Sequence, residues 1–411
     1  MHITRNRRRA LVAATLATSL VIATACGSDD DDTADTADTV TEVVEETTSD
    51  DTTSDDTTSD DTTQTDTGDR PNLTDPYSEQ IARSLEITVD TSEFVAEPPY
   101  SVATVVQGPI NGWGTIFDVV MDAAIAESGV FDESTRIYAP WNGQTENQTR
   151  GIDDAIAADV DIIILTALSR AGLAASVDRA AEAGIPVVIC MAGVDSDNYT
   201  VEVSRDIPLM GYQSAKAVAD ELGGEGKVVM LHGIAGVDAA EFWRSGGLEA
   251  FGEYPGIEIV SEQYGNWSVA DALEAMRTVL SQESDVDAVW VGGLEMGVGV
   301  VNAFAEAGLD VPFIGGTNPI NGFLRLAQDN DLEFFAVPFP SAASTHCVDT
   351  AIDVLEGNSV QKFIDVIDLM DGAQPYTHNE LEQWYVPSLN DDFIGPLVFP
   401  ESVYIEAGFA R

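Results

Sequence analysis

Asp159-Val160-Asp161-Ile162-Ile163-Ile164-Leu165-Thr166-Ala167-Leu168-Ser169 returns in kind as Asp285-Val286-Asp287-Ala288-Val289-Trp290-Val291-Gly292-Gly293-Leu294-Glu295. Each copy is a short apolar run, the pattern of a strand buried on both faces, followed by small and polar residues that open a helix. The helical stretches then end alike, at Ala181-Glu182-Ala183-Gly184 and Ala305-Glu306-Ala307-Gly308. Further strands are expected at 186–191 and 312–315. The chain therefore reads as two similar halves.

Outward from this pair, short β-branched runs alternate with amphipathic stretches from residue 101 onward. Strands are expected at 101–107, 136–138, 161–166, 227–232, 257–264, 287–291 and 333–337, with helices such as 114–126, 171–183 and 269–280 between them. This is the βαβ pattern of parallel sheets. An eight-stranded barrel also has many βα units, but the internal repeat favours an α/β fold of two Rossmann-like lobes. Open α/β sheets bind ligands beyond the carboxyl ends of their strands, so a ligand belongs between two facing lobes, against the residues that follow each strand.

The N-terminus has the form of an export signal. A basic start (Arg5, Arg7, Arg8, Arg9) precedes an apolar run of small residues over 10–25, too short for a comfortable membrane span. Residues 1–25 are expected to be removed. Ala23-Thr24-Ala25-Cys26-Gly27 is similar to a lipobox, which implies lipidation of Cys26 and a place in the cell envelope, on the outer face of the cytoplasmic membrane. Residues 29–69 hold seventeen acidic residues and no Lys or Arg. Such a stretch buries too little apolar surface to offset chain entropy, and 26–99 is expected to be anchor and disordered linker.

What remains is about 340 residues, more than one compact core holds and enough for two lobes. The chain's formal charge is −53, and its globular part, with only Lys216, Lys227 and Lys362, still carries about −40. A basic face is missing, which excludes nucleic acid as a partner. Cys190 and Cys347 show no framework spacing and are expected to be buried thiols, although an exported location permits a disulfide.

Over residues 101–367 the sequence resembles the type I periplasmic binding proteins, in the branch that includes ribose-binding proteins. The matching stretches are Gly184-Ile185-Pro186-Val187-Val188, His232-Gly233-Ile234-Ala235-Gly236, and Glu295-Met296 ahead of a helix. The resemblance implies a substrate-binding subunit of an ABC importer for a sugar or polyol, with a membrane permease as partner and no cofactor or metal. It also implies a three-segment hinge, with crossovers near 203–205, near 338–340 and after about 369. The lobes would then be 100–203 plus 339–369 and 204–338 plus 370–411.

In that family aromatic rings sandwich the sugar and polar side chains hold its hydroxyls. Trp113, Phe117, Phe242, Trp243 and Trp267 are the aromatic candidates here. Gln107, Asn111, Arg244, Thr317 and Asn318 are the leading polar ones, with His232, Asp238, Asn266 and Ser341 behind them. Arg244 reads equally as a bidentate grip on a ligand carboxylate or as the partner of a surface acid. Where the family usually has charged or amide side chains, this chain has Met191-Ala192, Gly293-Leu294 and Pro338, and Met191 and Pro338 are kept as ligand-binding candidates. Fewer ligand hydroxyls, or an anionic group meeting Arg244, would follow from that substitution. No phosphate loop, dinucleotide fingerprint, zinc helix or nucleophile elbow is present, so an enzyme is not expected. A receptor of the same fold signalling to a membrane kinase is the alternative to import.

Overall fold

The computed structural model of the chain describes residues 71–141, 144–369 and 376–411. The export signal, Cys26 and the acidic stretch through residue 70 lie outside the described residues.

Fourteen strands are described, in chain order. β1 (Thr88–Val89), β2 (Val102–Val105), β3 (Ile137–Tyr138), β4 (Ile162–Leu165), β5 (Val187–Cys190) and β6 (Val201–Ser204) come first. β7 (Glu225–His232), β8 (Gly256–Tyr264), β9 (Ala288–Val291), β10 (Phe313–Thr317) and β11 (Phe334–Val337) follow. β12 (Val360–Gln361), β13 (Phe363–Asp365) and β14 (Tyr376–Thr377) close the set. They form two six-stranded sheets, ordered β13-β6-β5-β4-β2-β3 and β14-β11-β10-β9-β7-β8, and a small antiparallel pair of β1 with β12. Only β14 runs antiparallel within the large sheets. The two repeat copies, β4 and β9, take the same place in their sheets, and every residue of both strands is buried. Continuous apolar runs such as Ile162-Ile163-Ile164-Leu165 require that cover, because helices lie on both faces of a parallel sheet.

Three passages link the sheets. Arg205 and Asp206 lead from β6 in the first sheet to the helix Ile207–Glu221, which packs on β10 and β11 of the second. Residues 338–343 lead from β11 back to the helix Ser344–Glu356, which packs on β4 and β5 of the first. The helix Val366–Leu369 follows β13 in the first sheet, and β14 in the second sheet comes next among the described strands.

The helices Ile207–Glu221 and Asp238–Gly252 cross with their backbones nearly touching. A Cβ on Gly246 would lie 1.8 Å from the Pro208 carbonyl oxygen, and one on Gly211 would lie 2.2 Å from that of Trp243. No rotamer relieves a clash with backbone, so Gly246→Ala should destabilise the protein by about 2–3 kcal/mol. Urea unfolding should show a lower midpoint at an unchanged slope.

Two findings depart from the sequence expectation. The span 26–99 is not linker throughout: residues 75–84 fold onto the body. Asp75 caps the helix Pro76–Ser84, and Tyr77 and Ile81, four residues apart, are buried on one face. The Tyr77 hydroxyl donates to Glu202 beside the hinge, Ser78 Oγ donates to Asp206 at 2.6 Å, and Asp75 accepts from Ser245 Oγ at 2.7 Å. Cys190 and Cys347 are not free thiols either: they form a disulfide between β5 and the helix Ser344–Glu356, with Cα atoms 5.8 Å apart.

The C-terminal segment is fixed to the helix Asn321–Asn330. The Asn321 backbone N–H donates to the Phe393 carbonyl at 2.8 Å, and its side-chain amide donates to that of Val386 at 2.8 Å. The same segment reaches the first lobe, where a Cβ on Gly112 would meet the Asp392 carbonyl oxygen at 2.4 Å.

Candidate functional site

The carboxyl ends of the two sheets face one cavity of about 70 Å³. At about 10–15 Å³ for each water position, that is room for roughly five to seven waters, or one compact solute. From the first lobe, Gln107 follows β2, Trp141 follows β3, Thr166 and Ala167 follow β4, and Met191 and Ala192 follow β5. From the second, Trp243 lies on the helix after β7, Trp267 follows β8, Gly292, Gly293 and Glu295 follow β9, and Asn318 follows β10. Phe339, in the passage after β11, completes the wall.

The backbone is strained where it bends around this space. Met191, Ala192, Trp267 and Asn318 have φ of 60°, 71°, 51° and 48°. Positive φ is uncommon outside glycine and gathers where surroundings impose it, as at ligand sites.

Four of the rings are held in place by specific contacts. Trp113 Nε1 donates to the Phe339 carbonyl at 2.9 Å, and its ring stacks on Phe339 with centroids 5.6 Å apart. Trp267 Nε1 donates to the Gly292 carbonyl at 2.9 Å. Trp243 packs edge-on against both Trp267 and Phe339. Asn318 Oδ1 accepts from the Phe339 N–H at 2.6 Å, which ties the end of β10 to the passage.

Several polar atoms here are enclosed without a partner. Trp141 Nε1, Trp243 Nε1, Thr166 Oγ1 and Glu295 Oε2 are buried and make no hydrogen bond. Burial pushes the Glu295 carboxyl up to about 8. Unmet donors and acceptors carry a desolvation penalty of about 1–3 kcal/mol each, which a bound molecule would relieve.

The residues singled out from sequence divide into two groups. Gln107, Asn111, Trp113, Met191, Trp243, Trp267 and Asn318 are brought together around the cavity. Asn111 also caps the helix Gly112–Ser128, accepting from the Gly114 N–H at 2.9 Å. The other five are elsewhere. Phe117 is fully buried behind Trp113, its ring 5.1 Å from the indole. Phe242 stacks on Tyr77 at 4.8 Å, under the N-terminal helix. Thr317 is buried in β10, and Pro338 serves through its carbonyl, which accepts from Arg205 at 2.5 Å. Arg244 pairs with Glu262 at 2.8 Å on a half-exposed surface, so the surface-partner alternative is the one realised. Of the secondary candidates, His232 meets the same Glu262 at 3.1 Å, and Asn266 bonds Asp271 at 3.0 Å. Asp238 caps across the cleft, accepting from the Arg170 N–H at 2.7 Å. Ser341 is buried in the second passage.

A model of the periplasmic binding protein domain matches residues 102–359. The chain belongs to the periplasmic binding protein family. This periplasmic binding protein is 27% identical over 209 residues to the xylitol-binding protein of Mycolicibacterium smegmatis, across 49% of this chain and 60% of that one. It is 25% identical over 228 residues to the ribose import binding protein of Bacillus subtilis, across 56% of this chain and 74% of the relative. Among solved structures it is similar to the binding component of the arabinose ABC transporter of Shewanella sp. ANA-3, bound to L-arabinofuranose. That match has a TM-score of 0.61 and 25% identity, and covers 69% of this chain and 93% of the other. A solute-binding protein of Bacillus halodurans with bound myo-inositol shares the fold, with a TM-score of 0.62 at 20% identity over 70% and 97% of the two chains.

Of the positions where the resemblance led one to expect polar residues, Met191, Ala192 and Gly293 line the cavity, whereas Leu294 and Pro338 do not. Sequence reasoning missed Trp141, Thr166, Phe339 and Glu295 as cavity residues. Trp141 had a usable signal, an indole just after a strand end. Phe339 sits one residue beyond the candidate Pro338.

Proposed function

We propose that this chain captures a sugar or polyol outside the cytoplasm as the substrate-binding subunit of an ABC importer, held at the membrane by a lipid on Cys26. The observation that carries this reading is the ring-walled cavity between the strand ends of two lobes, with its partnerless Trp141 and Trp243 N–H groups. Flat apolar faces suit the C–H face of a carbohydrate, and the indole donors suit its oxygens. The named relatives and the bound sugars and polyols of the similar structures support the same class of ligand.

Three passages between the lobes give a hinge. Ligand contacts to both lobes favour the closed form, and the membrane permease reads the closed spacing. A cation to hold a sugar acid is missing from the described lining, which favours ligands without a negative charge.

A thermal-shift and calorimetry panel of xylitol, ribose, arabinofuranosides, myo-inositol and glucuronate tests this. At least one uncharged member should stabilise the protein by about 2.7 kcal/mol at a hundredfold excess over its Kd, and glucuronate should not. Binding of glucuronate alone would sink the proposal.

A further inference from the structure

The ring pairs that touch around the cavity are not all parallel. Trp113 and Phe339 are parallel within 6°, but they stack directly on each other. Trp243 stands at 86° to Trp267 and at 87° to Phe339, so the walls meet as corners. Parallel planes grip a flat ring, whereas rings at right angles can offer π surface to a rounded group from more than one side, which is how aromatic cages hold ammonium groups.

Glu295 supplies the second observation. It is the only ionisable side chain among the described residues of the lining. Its Oε2 is enclosed and partnerless, and burial is the dominant influence on its carboxyl, with no Lys, Arg, His or second carboxylate acting on it. A carboxylate in such a place is stable only when a cation joins it. If the chain needed merely one more hydroxyl-binding group here, an amide would serve without that penalty.

The third observation is the pair of indole donors, Trp141 Nε1 and Trp243 Nε1, which call for acceptor oxygens. The cavity thus presents one acidic group, perpendicular rings and two neutral donors.

We infer that the ligand of this cleft is an amino-substituted polyol or sugar, its ammonium group held by Glu295 among the indole rings and its oxygens accepting from Trp141 and Trp243. This narrows the carbohydrate-capture reading and rests on it. In the empty site Glu295 keeps its proton at neutral pH. The incoming ammonium displaces that proton to solvent and leaves an ion pair. The carboxylate form is favoured as pH rises, so affinity for the amine increases from pH 6 to 8 and falls again where the ligand's own amine deprotonates.

Calorimetry on matched pairs tests this: serinol against glycerol, glucamine against sorbitol, and glucosamine against glucose. In at least one pair the amino member should bind about tenfold or more tightly than its neutral counterpart. Glu295→Gln should bring the two members of that pair within about twofold of each other, because the charge that separates them is gone. The wild-type pH profile is a second readout, independent of whether the variant folds: rising for the amine, flat for the neutral member. Equal or tighter binding of the neutral members, a preference that survives Glu295→Gln, or a flat amine profile each overturns the inference while leaving carbohydrate capture standing. Failure of every member of every pair overturns the inference, and failure of the uncharged sugars and polyols of the first panel as well overturns carbohydrate capture.

Discussion

Replacing Cys190 and Cys347 together by alanine is expected to lower the unfolding free energy by about 3–5 kcal/mol. The bond closes a loop across 157 residues, which spans the whole of the second lobe's main sheet up to β11. Cross-linking ends so far apart removes much of the unfolded chain's freedom, about 5 kcal/mol at this length in the chain-entropy account. Both sulfurs are fully buried, so the variant also loses tight packing between β5 and the helix Ser344–Glu356. The effect should reach the cavity, because Met191 and Ala192 follow Cys190 directly and hold left-handed backbone. Urea titrations of the wild type and the double variant, with and without reductant, measure this. Equal midpoints for oxidised wild type and variant would contradict the account. An exported location is consistent with such a bond.

The thiol expectation failed because a pairing across 157 residues leaves no local trace in a sequence. By contrast, the two-lobed fold was legible, since β4 and β9 are buried on both faces and therefore read as near-continuous apolar runs with matching surroundings. The helix Pro76–Ser84 was hidden by its acidic neighbours, although Asp75 before a proline and the Tyr77–Ile81 spacing are a cap and half of an apolar stripe. In the site, residues on loops after strands were easier to place than residues on helices. Phe242 and Trp243 are adjacent on one helix, so they point about 100° apart, and only the fold decides which of the two faces the cavity. Phe117 lies one turn beyond Trp113 and so stacks behind it. In the sequence Glu295 stands out only as the end of a repeat copy and in the Glu295-Met296 match. What singles it out is an enclosed Oε2 with no partner and no charged side chain acting on the carboxyl, a property of three-dimensional surroundings.

Trp267→Ala is expected to weaken binding of the tightest polyol or sugar of the panel about tenfold or more, which is about 1.4 kcal/mol, while leaving the fold intact. The indole is only partly buried and follows β8 in a turn, so its loss opens the cavity without emptying the core beneath the sheet. Its position is fixed from three sides: the bond to the Gly292 carbonyl, the edge of Trp243, and the bare backbone of Gly233. A Cβ on Gly233 would stand 2.2 Å from Trp267 Cε2, inside any allowed contact. Gly233→Ala must therefore push the ring aside and should mimic the alanine variant with the indole still present. The two variants together separate the ring's position from its mere presence. Calorimetry gives the affinities, and circular dichroism with a thermal melt checks that both proteins fold. Wild-type affinity in Trp267→Ala would remove this ring from the ligand's surroundings. If Gly233→Ala alone kept full affinity, the ring's contribution would not depend on the placement that Gly233 allows.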